Sequence, residues 1–364
     1  MRRLSLLLLL ILPLLPLQAQ QMQKSFYTGA EVFMHQNLAG IRDKSVAVVA
    51  NQSSLVEGVH LVDTLLRRGI KIRAIFCPEH GFRGTAEAGA AVGDSKDPTT
   101  GIPIYSLYGK NKKPTPAQLK GIDLVIFDLQ DVGCRFYTYI STLHYVMEAC
   151  AEQDIFLAVL DRPNPNGHYV DGPVLEPSQR SFVGMHPVPI VYGMTIGEYS
   201  QMINGERWLR DGLQCQCAVY PMAGYRHDST FCRSLVLPVP PSPNLRTPQA
   251  IALYPSLCLF EGTTVSVGRG TDYPFEVIGS GATQTDLRKY KVRSRIELSH
   301  LIEMYRSVPK GKFFLANNFF DQLAGNTLLR RQIEAGTSEA DIRASWEPAL
   351  TQFRETRTKY LMYP

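Results

Sequence analysis

Residues Leu124-Val125-Ile126-Phe127-Asp128-Leu129-Gln130-Asp131-Val132-Gly133 carry the reading of the fold. An apolar run this short, rich in β-branched residues and followed by a glycine, suits a strand covered on both faces. It breaks off into carboxylates. Outward along the chain the pattern recurs. Residues 72–77, apolar except for Arg73, run into Pro78-Glu79-His80-Gly81; residues 155–160 are apolar and run into Asp161-Arg162-Pro163-Asn164-Pro165. Residues 45–51 and 214–220 read as further strands. Between them lie stretches of helical spacing at 59–68, 136–153 and 195–209. In the first, Leu61, Leu65 and Leu66 share one side and Gly69 follows the end. Fully apolar strands alternating with helices predict a parallel sheet with right-handed crossovers, an α/β Rossmann-like domain.

The rest of the chain frames that domain. Arg2 and Arg3 precede a Leu-rich run from 4 to 17, and the small Ala19 follows. This predicts a signal peptide over 1–19, hence an exported protein, periplasmic or secreted. The run is short for a membrane span and Pro13 and Pro16 interrupt it. With 45% hydrophobic and 20% charged residues among 364, a disordered chain is excluded. The net charge of +5 comes without blocks of like charge, so nothing indicates a nucleic-acid or membrane-surface partner. The Pro-rich segment 237–244 cannot be helix or central strand. It divides the predicted Rossmann-like catalytic domain, 22–240, from a smaller C-terminal α/β domain, 241–364. The latter has expected helices at 247–260, 296–305 and 326–335 and a Gly-rich loop at 262–270. The seven cysteines lie mostly in apolar runs and read as small buried hydrophobes.

In an open parallel sheet, ligands bind outside the carboxyl ends of the strands. The three charged ends are therefore expected to meet in one cleft. Several chemistries lack their motif. No G-x-G-x-x-G follows the first strand, and there is no P-loop, no G-x-S-x-G and no H-E-x-x-H. His80 directly after Glu79 is not a zinc pair at helical spacing. A dinucleotide site, a P-loop, a serine-hydrolase elbow and a zinc pair are therefore not supported. Carboxylates, arginines, asparagines and aromatics remain, an inventory suited to sugar chemistry, which needs an acid at the leaving oxygen and a base, nucleophile or neighbouring group opposite. Arg135, Arg162 and Arg269 are candidates to grip a substrate carboxylate in bidentate fashion. Tyr137, Tyr139 and Tyr273 are candidates to stack on a sugar ring.

Pro78-Glu79-His80-Gly81-Phe82-Arg83-Gly84, the run 127–139, Leu160-Asp161-Arg162-Pro163-Asn164-Pro165 and Gly268-Arg269-Gly270-Thr271 resemble the bacterial YbbC/NamZ family of exo-β-N-acetylmuramidases. The resemblance extends in motif order over nearly the whole chain after the leader. It implies an exo-acting glycoside hydrolase that releases N-acetylmuramic acid from the non-reducing ends of peptidoglycan fragments. It also implies a Rossmann-like domain, a smaller C-terminal domain and an active cleft between them, with no metal or nucleotide cofactor expected to be essential. The family's leading catalytic glutamate maps onto Glu79, expected here as general acid/base. Asp131, Asp128 or Asp161 is expected to position water or support the transition state, with the sugar's own acetamido group as an alternative nucleophile. His80, Gln130, Arg135, Tyr137, Arg162, Asn164, Glu261, Arg269 and Thr271 are expected to bind substrate. The competing readings are a non-catalytic periplasmic muropeptide-binding protein and a nucleotide-dependent oxidoreductase. A binder of an anionic sugar gains little from four carboxylates, and the oxidoreductase lacks its glycine fingerprint.

Overall fold

A computed structural model describes residues 26–82, 93–279 and 284–364. The expected leader, and Arg83 and Gly84 of the first motif, lie outside the described residues.

The central sheet has seven strands: β1 (Ser45–Ala50), β4 (Lys71–Cys77), β5 (Ser95–Lys96), β6 (Pro103–Ser106), β7 (Leu124–Asp128), β8 (Phe156–Leu160) and β9 (Cys217–Tyr220). A small hairpin of β2 (Leu55–Val56) and β3 (Val59–His60) follows β1. The sheet order is β5-β6-β4-β1-β7-β8-β9, and every neighbour pair is parallel except β5 with β6. From β1 the chain builds outward through β4 to β6; it then returns to β7 and builds the other way through β8 to β9. The order reverses at β1, so a crevice opens outside the carboxyl ends of β1, β4 and β7.

The period-2 alternation of the strands separates two cores. On one face Val46, Val48, Ile75, Ile126 and Ala158 pack with Phe33 of α1 (Gly29–Gln36) and with Leu61 and Leu65 of α2 (Leu61–Arg67). On the other face Ala47, Val49, Phe76, Phe127 and Val159 pack with α4 (Tyr139–Glu152) and α5 (Ile196–Gly205). The short helices α3 (Pro116–Leu119) and α6 (Ser229–Ser234) complete this part of the chain.

The C-terminal segment adds α7 (Pro248–Leu257), α8 (Ser299–Ser307), α9 (Phe319–Ala324), α10 (Leu328–Glu334) and α11 (Glu339–Thr358). Its only named strands among the described residues are the two-residue pair β10 (Val277–Ile278) and β11 (Thr285–Asp286). Ile342, Trp346, Leu350 and Phe353 form the buried stripe of α11. That stripe, with Leu257, Phe260 and Phe320, joins the same core as α4 and α5. The two parts of the chain therefore share one hydrophobic interior.

Two elements are hidden in the sequence pattern. β6 is four residues long and begins with Pro103, a start that hides a strand. α11 carries Pro348 and many charges, which mask its stripe. The Pro-rich segment read as a boundary is wall as well as linker. Pro241 O accepts hydrogen bonds from Tyr137 Oη (2.8 Å) and Tyr139 Oη (3.4 Å), and Pro240 O accepts from Gln52 Nε2 (3.1 Å).

Candidate active site

Glu79 stands just beyond the end of β4, followed by His80 and Gly81, both at positive φ (72° and 75°). Two consecutive left-handed residues turn the chain sharply after the strand. The opposing wall comes from the end of β7, where Phe136, Tyr137 and Thr138 lead into α4. Together these groups line a cleft of about 660 Å³. Tyr108, after β6, closes one side; Ser242 and Asn244 of the Pro-rich segment and Tyr254 of α7 line another. Glu261 and Arg269 of the C-terminal segment complete it.

Within this cleft Thr138 Oγ1 donates to Glu79 Oε2 at 3.2 Å. Partial burial and then the charge of Glu79 push the Tyr108 phenol up to about 12, so it keeps its proton at neutral pH. Tyr137 and Tyr139 pack edge to face, centroids 4.7 Å apart, and Asn51 Nδ2 at the end of β1 donates to Tyr139 Oη at 2.8 Å. All three strand ends at the reversal thus contribute. Arg269 forms an ion pair with Glu261 and lies 5.2 Å from the centre of the Phe275 ring. Cys258 Sγ donates to the second oxygen of Glu261 at 3.4 Å. Glu79 and Glu261 are the carboxylates lining the cleft among the described residues.

The expected meeting of three charged strand ends is not what the chain forms. β8 lies outside the reversal, and its end is built into the scaffold. Arg162 grips Asp128 in bidentate fashion, Nε to Oδ1 at 2.6 Å and Nη2 to Oδ2 at 2.7 Å, with both residues buried. Arg162 is thus the partner of Asp128 rather than a free clamp for substrate. Asp161 is fully buried and accepts from Thr195 Oγ1 (2.7 Å), Gly197 N (2.8 Å) and Tyr363 Oη (2.5 Å). It caps α5 and ties down the C-terminus. Asn164 donates to Met194 O and accepts from Asn166 N, 2.8 Å each, and braces the loop. Gln130 donates to Asp131 O (2.8 Å) and Pro163 O (2.6 Å), and with Arg162 borders a different depression.

Arg135 also leaves the expected set. It is wholly buried and donates to four backbone carbonyls: Pro173 and Val188 through Nη1, Leu323 and Ala324 through Nη2, all at 2.7–2.9 Å. Burial pushes its guanidinium down to about 9, which leaves it charged at neutral pH. Gly325, at φ +83°, admits it: a Cβ there would fall 2.4 Å from Arg135 Nη2. Arg135 fastens the C-terminal segment to the sheet domain.

Asp131 is buried beside the cleft rather than in its wall. Its Oδ2 accepts from Tyr192 Oη and, at 2.7 Å, from Gly133 N. Burial pushes its carboxyl up to about 6, with those two donors opposing. Thr271 donates to Gly268 O (2.6 Å) and accepts from Tyr273 N (3.1 Å), shaping the loop that presents Arg269. His80 and Tyr137 line the cleft. The sequence reading missed Tyr108, Lys112, Thr138, Ser242, Asn244 and Tyr254. Tyr108 follows the unrecognised strand β6, and the same strand-end rule applied there points to it. Among the described residues no cluster of three or more His, Cys, Asp or Glu is arranged to hold a metal.

A family model described as exo-beta-N-acetylmuramidase NamZ, N-terminal, matches residues 46–249. Its C-terminal counterpart matches 252–297 and 285–363. The chain is 38% identical to the peptidoglycan beta-N-acetylmuramidase NamZ of Bacillus subtilis (strain 168), over 92% of this chain and 91% of that one. Two solved structures of DUF1343 family proteins from Bacteroides fragilis are similar. One is 40% identical with a TM-score of 0.84, covering 93% of this chain and 99% of that one. The other is 28% identical with a TM-score of 0.81, covering 94% and 100%.

Proposed function

The chain belongs to the NamZ family of exo-β-N-acetylmuramidases, and from that premise we propose that it removes N-acetylmuramic acid from the non-reducing ends of peptidoglycan-derived glycans with Glu79 as general acid/base. One observation carries the assignment of Glu79. It stands at the sheet reversal in the cleft wall, and Thr138 holds one of its oxygens there. Hydrolysis of a glycosidic bond requires a proton delivered to the leaving oxygen and withdrawn later from water. Glu79 supplies that carboxyl group. Tyr108, which keeps its proton, is a neighbouring donor that orients it or a substrate hydroxyl. The rings of Tyr137, Phe136 and Tyr254 offer apolar faces for a sugar.

Muramic acid differs from glucosamine by a lactyl carboxylate. Of the three arginines considered for it, Arg135 and Arg162 are engaged in the scaffold, and Arg269 faces the cleft. Arg269 and Lys112 together supply the positive charge that recognises the lactyl group. Asp128 and Asp161 are excluded from contact with substrate by their own partners. Asp131 is likewise held by Tyr192 and Gly133, and Glu261 is paired with Arg269, which leaves the substrate's acetamido oxygen or a water molecule as the group opposite Glu79. The basic, Leu-rich segment at the start of the chain supports export, which brings the enzyme to the cell wall.

The test is hydrolysis of a chromogenic β-N-acetylmuraminide by the purified chain, with the matching β-N-acetylglucosaminide as control. Selective release from the muraminide, lost in Glu79→Gln with binding of the disaccharide kept, is the expected result. Near-normal turnover in Glu79→Gln would remove Glu79 from the chemistry. Saturable binding without release would make the chain a binding protein.

A further inference from the structure

A second depression of about 800 Å³ adjoins the cleft, and Lys112 and Phe182 line both. Aromatic rings run along it. Tyr145 stacks on Phe182 with centroids 6.3 Å apart, Lys112 sits 4.7 Å over the Phe182 ring, and Trp208 stacks on the buried His186 at 4.7 Å. Around these rings stand Arg180, Arg207 and Arg210. The acidic groups nearby already have cationic partners. Glu148 and Glu152 share Lys113 at 2.7 Å each, while Arg210 pairs with Glu152 (3.0 Å) and Asp211 (3.6 Å). In the lining, Lys112, Arg180, Arg207 and Arg210 outnumber Glu148 and Asp211. Arg180 and Arg207, both exposed, form no ion pair among the described residues. His144 in the same wall adds no charge: burial pushes it down to about 4, with Arg180 and Lys113 adding to the push against Glu148. The groove is thus a basic, ring-lined extension of the cleft.

An enzyme that removes one terminal sugar at a time needs a pocket for that sugar and an open path for the chain that remains. In peptidoglycan glycan that chain alternates neutral N-acetylglucosamine with N-acetylmuramic acid, so it carries a carboxylate on every second sugar. Ring faces suit sugars, and guanidinium groups suit carboxylates. We propose that this groove is the leaving-group side of the glycan site, where Arg180 and Arg207 bind the lactyl carboxylate of the next muramic unit along the chain. The inference rests on the hydrolase reading above.

The test compares kcat/KM on the peptide-free tetrasaccharide MurNAc-GlcNAc-MurNAc-GlcNAc and the disaccharide MurNAc-GlcNAc, for the full chain and for Arg180→Ala/Arg207→Ala. The full chain is expected to favour the tetrasaccharide, through KM. The double variant should lower the tetrasaccharide-to-disaccharide ratio about ten-fold, the size expected for one lost charge-assisted contact. Equal efficiency of the full chain on both substrates, or an equal loss on both in the variant, would overturn the proposal. Calorimetric binding of the two glycans to Glu79→Gln, with and without the paired arginine changes, keeps the questions apart. If no muraminide is hydrolysed, the hydrolase reading fails. Tighter binding of the tetrasaccharide that disappears with the arginines would still support the groove, and equal binding of both glycans would sink it.

Discussion

Thr138 Oγ1 donates to Glu79 Oε2 at 3.2 Å, joining the residue that precedes α4 to the residue that follows β4. The two positions are 59 residues apart in the chain and meet because only β1 lies between their strands in the sheet. This bond fixes where the Glu79 carboxyl points.

Thr138 is therefore a positioning residue. Thr138→Val keeps the branched shape and removes the donor, so kcat should fall about ten-fold, the effect of losing one hydrogen bond to a charged group. KM should move little, because Thr138 orients Glu79 rather than the ring-binding wall. Thr138→Ser should restore most of the rate. A fall in Thr138→Val that Thr138→Ser fails to rescue would assign the effect to packing.

Arg269 should govern selectivity for muramic acid. It lines the cleft in an ion pair with Glu261, an arrangement that holds the guanidinium in place and leaves donors for a substrate carboxylate. Arg269→Ala should raise KM for the muraminide on the order of ten- to a hundred-fold, equivalent to roughly 1.4–3 kcal/mol. kcat should change far less. An unchanged KM would move lactyl recognition to Lys112.

The fold was legible because its strands are short apolar runs between helices, a pattern that needs no knowledge of distant contacts. The strand-end rule also led to Glu79 and His80, which line the cleft. It failed where it treated all strand ends alike. A carboxylate after a strand looks the same in sequence whether it faces solvent or, like Asp128, an arginine 34 residues away. Only the strand order shows that β8 lies outside the reversal, so that Asp161 is left to cap α5. Arg135 misled for a similar reason. Its partners are backbone carbonyls, which every residue carries and no sequence pattern marks. The proline content of residues 237–244 marks a break in regular structure and does not show that Pro241 O receives two tyrosines of the cleft.

Arg135 should prove to be a residue of stability. Arg135→Leu would leave four buried carbonyls without their donor, and Arg135→Lys cannot reach all four with one ammonium. Both variants should unfold at lower denaturant concentration. For Arg135→Leu the loss should be on the order of 3–5 kcal/mol, as when a buried polar network is broken. Whatever folds should show an ordinary KM. A well-folded Arg135→Lys with strongly raised KM would return Arg135 to the substrate site.

Asp131 sets a pH dependence of stability. Its carboxyl is pushed up from 3.8 to about 6, chiefly by burial, so the folded chain holds this proton more tightly than the unfolded one. Stability from this group is fully present below about pH 3.8 and is lost as pH rises through about 6. The shift corresponds to roughly 3 kcal/mol between those limits. At neutral pH the carboxylate is buried with Oδ2 bonded to Tyr192 and Gly133, while Oδ1 has no hydrogen-bond partner among the described residues. Asp131→Asn cannot titrate. Its unfolding free energy should therefore drop less than the wild type's between pH 4 and pH 7, measured by denaturant midpoint at each pH. Asp161, pushed up to about 6 by the same cause, stays in both proteins, so the difference of differences isolates Asp131. Identical pH slopes in the two proteins would mean that Asp131 keeps an ordinary acidity in the folded chain.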